Sequence, residues 1–102
     1  MAKLVRDKIP EIIKKSGEVP IIRKAEGLEL RAALIDKLHE EVEEFRQASG
    51  KDAILEELAD ILEVVYALGY SYSGELELIE VSVKKRKERG GFSEGFIWEG
   101  NE

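Results

Sequence analysis

Four glutamates fall within five positions at Glu40-Glu41-Val42-Glu43-Glu44, and a second acidic pair, Glu57 and Asp60, follows in Glu57-Leu58-Ala59-Asp60. Carboxylates three apart on a helix lie on one side of it, so both stretches offer paired oxygen ligands. Such pairs can hold a hard divalent cation or orient a water for attack. The chain has no cysteine and one histidine, so the ligand set is oxygen only, which suits Mg²⁺ or Mn²⁺ better than Zn²⁺.

Whether these groups face inward follows from the apolar spacing around them. On a helix advancing about 100° per residue, Leu34, Phe45, Leu38 and Val42 fill an arc of about 80°. Glu41 lies about 20° outside one edge of it, Glu44 about 60° further round and Glu40 about 40° beyond that, whereas Glu43 points nearly opposite. On the next helix Glu57 projects between Leu68 and Val64, with Asp60 about 60° away and Glu56 and Glu63 outward. If the two helices pack antiparallel, Glu41 with Glu44 and Glu57 with Asp60 converge. Burying several unpaired carboxylates costs several kcal/mol apiece, on the order of the penalty for any uncompensated buried charge, so the cluster needs cations. Two readings stand at this point: a solvated, salt-bridged acidic face, or a metal site.

The elements that would position these residues can be read from punctuation and period. Residues 1–27 hold both prolines and two glycines, which predicts an irregular third with a helical turn near EIIKKSG and a possible strand at VPIIRKA. A first long helix is expected over about 28–48, ending at ASGK. A second, with Ile54, Leu58, Ile61, Leu62, Val65 and Leu68 as its apolar face, begins after Asp52 as a plausible N-cap and ends in GYSYSG. A third covers about 75–89 and stops at Gly90-Gly91. The ending GFSEGFIWEGNE suggests a short hairpin or docked tail. The expected fold is mainly α, a helical bundle in one domain over 1–102 with small irregular or β elements at both ends. Three helices make a thin core, so a second copy of the chain is expected to complete it.

Composition narrows the class. At 102 residues and 43% hydrophobic content, the chain suits one folded domain, and no apolar run reaches the roughly 18 residues of a membrane span. The opening lacks the apolar centre of a signal peptide, and the absence of cysteine fits a cytoplasmic setting. A net charge of −6 disfavours a nucleic-acid polymer as partner, although a bound cation can still bring in a nucleotide.

The ordered set LVRDKIPEII, EEVEE, ELAD and RGGF resembles the all-α nucleoside triphosphate pyrophosphohydrolases, the MazG-like group with the signature EExxE, a spacer, then ExxD. Its single-domain, phosphoribosyl-ATP pyrophosphohydrolase-like branch is the nearest in pattern. The spacer here runs 12 residues, from Phe45 to Glu56. The resemblance implies that Glu41, Glu44, Glu57 and Asp60 ligate Mg²⁺, with Mn²⁺ as a substitute, and that Glu40 is a further ligand or the base acting on water. It implies hydrolysis between the α and β phosphates of a nucleoside triphosphate. Lys85 and Arg89, at i, i+4 in a pattern similar to the group's K-x-x-x-R-x-G element, are expected on the outer phosphates. Ser82 stands where many members have asparagine. Arg6 and Lys8 are expected to add positive charge, with structural ion pairing of the terminus as the other reading. Trp98 could stack on a base or anchor the tail, and His39 is read as surface.

The expected function is therefore nucleotide-pool housekeeping by a Mg²⁺-dependent enzyme acting as a homodimer or dimer of dimers. The LVRDKIP opening ranks it above a phosphoribosyl-ATP pyrophosphohydrolase of histidine synthesis. A non-catalytic helical dimer serving as a protein-interaction module is the alternative of a different class.

Overall fold

Four helices carry the fold in the computed structural model, which describes residues 2–102: α1 (Ile9–Lys15), α2 (Gly27–Gln47), α3 (Lys51–Ser73) and α4 (Glu75–Arg89). Pro10 opens α1, where its missing N–H costs nothing, and the Ser16 hydroxyl donates to the Ile13 carbonyl at 2.6 Å to close it. An extended stretch follows and is tied to the first turn of α2 by the Arg23 guanidinium, whose two nitrogens each lie 2.9 Å from Glu29 oxygens. The strand expected at VPIIRKA does not form. Val19 and Ile21 stand exposed, and among the described residues there is no strand for this stretch to pair with.

α2 and α3 form a hairpin across the short turn Ala48–Gly50. Gly50, not Asp52, is the cap of α3, and Asp52 lies in the first turn, where its charge complements the helix N-terminus. The two helices run antiparallel, since Arg31 meets Ser71 at the open end while Glu41 meets Asp60 nearer the turn. Arg31 Nη2 donates to the Ser71 carbonyl at 2.6 Å, and its guanidinium stacks 4.0 Å from the Tyr72 ring centroid.

The chain then folds back at a single residue. Gly74 has φ +91°, a conformation that a side chain disfavours, and it ends α3 and starts α4 at once. Gly69 lets α4 come close, because a Cβ there would lie 2.6 Å from Leu78 Cδ2. Beyond Arg89 the chain is exposed and has no helix or strand. The hairpin expected in GFSEGFIWEGNE is replaced by one turn, with Gly95 N–H donating to the Phe92 carbonyl, and Phe92, Phe96, Ile97 and Trp98 reach into solvent.

Among the described residues the interior is small. Leu34 on α2 and Val64 on α3 are the buried apolar side chains, at 5% and 8% exposure. The chain exposes 9410 Å², against about 5,800 Å² for a compact folded chain of 11.5 kDa. Its radius of gyration is 17.6 Å where about 13 Å is usual. Leu55, Leu58 and Leu62 leave an apolar stripe uncovered on α3, as do Ile79 and Val83 on α4. No helix among the described residues is long and apolar enough to cross a membrane.

Candidate metal centre

The hairpin turns the two acidic pairs toward each other. Oxygens of Glu41, Glu57 and Asp60 lie within 4.8 Å of one another, and so do oxygens of Glu40, Glu41 and Glu44. Glu41 belongs to both groups and is as buried as Leu34, at 5% exposure. The buried stripe of α2 is thus centred between Leu34 and Glu41, while Val42, at the far edge of the expected arc, is exposed.

Partners for these carboxylates are few. Lys37 Nζ lies 3.3 Å from Glu40 Oε1 and 3.5 Å from Glu41 Oε1. Arg6 Nη2 donates to Asp60 Oδ1 at 2.7 Å, and Nη1 lies 3.9 Å from Glu63 Oε1. Glu41 Oε2 and Glu57 Oε2 are shielded from water and meet no donor among the described residues. Burial pushes the Glu41 carboxyl up to about 7, with the adjacent Glu44 carboxylate as the next cause and Glu57 and Asp60 adding to it. Glu57 is also raised, chiefly by burial; the neighbouring Glu41 carboxyl works against the rise, and the charges of Glu44 and Asp60 add to it. Two shielded oxygens in an all-carboxylate cluster are the donor set a hard divalent cation takes, and Glu41, Glu44, Glu57 and Asp60 fit that group.

The predicted phosphate ligands divide. Arg6 and Lys8 line an open cleft of about 900 Å³ together with Glu41, Asp60, Tyr66 and Tyr70. Lys85 and Arg89 lie exposed on α4 and are not among the residues lining that cleft. His39 is exposed, and Trp98 Nε1 donates to Asn101 Oδ1 at 3.1 Å within the tail. Sequence reasoning missed Lys37, although its placement three and four residues before Glu40 and Glu41 was a readable signal. Arg6 forms an ion pair with Asp60 that links the N-terminal segment to α3.

The family described as phosphoribosyl-ATP pyrophosphohydrolase matches residues 5–87. A curated protein of Mycolicibacterium smegmatis, described as uncharacterized, is 55% identical over 56 residues, which are 55% of this chain and 57% of that protein. The match therefore spans little more than half the length of that relative. No solved structure matches the chain. With a matched span that starts before α1, encloses both acidic pairs and runs into α4, the chain belongs to the phosphoribosyl-ATP pyrophosphohydrolase family.

Proposed function

We propose that the chain is a divalent-metal-dependent pyrophosphohydrolase that cleaves a nucleotide between its α and β phosphates, releasing pyrophosphate and a monophosphate. The observation that carries this reading is the buried Glu41 carboxylate, with one unpartnered oxygen, among Glu44, Glu57 and Asp60. A buried charge of this kind is destabilising unless a cation joins it.

In this reading Glu41, Glu44, Glu57 and Asp60 hold Mg²⁺, with Mn²⁺ as a substitute. A bound divalent ion neutralises phosphate oxygens and makes a water more acidic. Glu40, on the rim beside Lys37, accepts the proton from the attacking water. Arg6 and Lys8 approach the phosphates from the cleft, and the cleft tyrosines Tyr66 and Tyr70 offer apolar faces to a base. Lys85 and Arg89 join the phosphates only where α4 of a second copy brings them there.

Two substrates compete. A nucleoside triphosphate suits a nucleotide-pool role. Phosphoribosyl-ATP is supported at least as well, because the matching family carries that description, and this offsets the preference drawn from the LVRDKIP opening. The acting form in this reading is a homodimer or dimer of dimers in the cytoplasm, supported by the uncovered stripes on α3 and α4.

The test is pyrophosphate release from a panel of canonical, deoxy and oxidised nucleoside triphosphates and phosphoribosyl-ATP, with Mg²⁺ and with chelator. Chelator-sensitive release is expected, and the panel ranks the substrates. No release from any of them would overturn the reading in favour of a non-catalytic helical dimer.

A further inference from the structure

Arg6 reaches the carboxylate cluster from outside the hairpin that builds it. It stands 54 positions before Asp60, in a segment without helix or strand, and donates to Asp60 Oδ1 at 2.7 Å. Among the described residues this is the side-chain hydrogen bond that joins residues 2–8 to α2 and α3. The same guanidinium lies 3.9 Å from Glu63 on the outer side of α3. It therefore neutralises the rim of the cluster and leaves the shielded oxygens of Glu41 and Glu57 without a donor.

We infer that Arg6 is a built-in counter-cation that competes with the divalent ion for Asp60, so that metal loading releases the N-terminal segment from the hairpin. The inference rests on the metal-site reading above and deepens it. Two features favour competition over a role in which Arg6 holds Asp60 in place as a ligand. The pair is exposed on both sides, 53% for Arg6 and 39% for Asp60, so water screens it and little is lost when it breaks. A divalent ion on the Asp60 carboxylate also brings two positive charges against the single charge of the guanidinium, and the two cations repel at such short range. While paired with Asp60, Arg6 lines the cleft beside Lys8, so a phosphate entering that cleft can take the place of Asp60 as its partner.

The two roles predict opposite signs for one variant. Mg²⁺ binding to the full chain is measured by titration calorimetry for the wild type, Arg6→Gln and Arg6→Lys, and backbone order parameters over residues 2–8 are followed by NMR relaxation. Arg6→Gln is expected to bind Mg²⁺ about two- to five-fold more tightly, the equivalent of losing one exposed ion pair. Arg6→Lys keeps the charge and is expected to stay within about a factor of two of the wild type. Order parameters over residues 2–8 are expected to fall on adding Mg²⁺ to the wild type and to be low already in Arg6→Gln. Equal or weaker affinity in Arg6→Gln would overturn the inference while the metal site stands. A wild-type chain that binds no Mg²⁺ would overturn the metal-site reading and the inference together.

Discussion

The middle of the α2–α3 hairpin and the end of the chain reverse the usual placement of charge and apolar surface. In the hairpin a carboxylate, Glu41, is buried as deeply as Leu34. Over α4 and the tail, Ile79, Val83, Phe92, Phe96, Ile97 and Trp98 stand in solvent. Both arrangements cost free energy, one by desolvating charge and the other by hydrating apolar area. The difference lies in what relieves each cost: a small cation in the first case and a large complementary surface in the second. One short chain thus carries two incomplete regions that call for different partners, and each can be tested without the other.

The hardest test of the hairpin is Glu41→Gln. It keeps the size of the side chain and removes its charge. Turnover is expected to fall by more than about a hundredfold, beyond what losing an outer-shell partner of a metal ligand costs. The metal-free variant at pH 8 is expected to melt higher than the wild type, because a buried charge is gone. A variant that turns over normally would remove Glu41 from the site.

The matching test of the apolar side is Leu62→Glu, which places a charge in the stripe formed with Leu55 and Leu58. Sedimentation velocity is expected to show the wild type as a dimer or dimer of dimers and the variant as a monomer, with turnover lost only if the second copy completes the site. A monomeric wild type would leave the exposed stripes without the proposed occupant. The smallest effect is that of pH on the hairpin alone. Glu41, at about 7 in the folded chain, and the raised Glu57 hold protons more tightly than the unfolded chain does. This contribution to stability is fully present below about pH 4.5 and is lost as pH rises through about 7. Metal-free melting temperature is therefore expected to decline from pH 5 to pH 8. Mg²⁺ affinity is expected to rise over the same range, because the ligands must be ionised, by up to about tenfold per pH unit for each proton released. A flat melting profile would mean that Glu41 is not held in a desolvated setting.

Much of this was legible in the chain because the signals are local. The helical period located α2, α3 and α4 to within a residue or two, and the glycines at 50, 74 and 90 mark their ends. Glu41 and Glu57 were picked out because helical geometry alone sets them beside apolar arcs. The centre of the buried stripe was not legible. The packing of α3 against α2 decides it, and α3 chose the side of Glu41 over that of Val42. The Arg6–Asp60 pair joins residues 54 positions apart, and no spacing rule links them. VPIIRKA has the composition of a strand, but a strand is a property of two segments, and the chain supplies one.

The short turn at Ala48–Gly50 has a consequence for how the molecule acquires its chemistry. Because α2 and α3 are neighbours in sequence, every carboxylate of the cluster lies within one contiguous hairpin, and closing so short a loop costs little chain entropy. Contacts of this kind form early in folding, before segments distant in sequence are gathered in. The like charges of Glu41, Glu44, Glu57 and Asp60 would then oppose the first docking step, so protons or divalent ions in the surrounding solution should speed the refolding of this chain as well as stabilise its product.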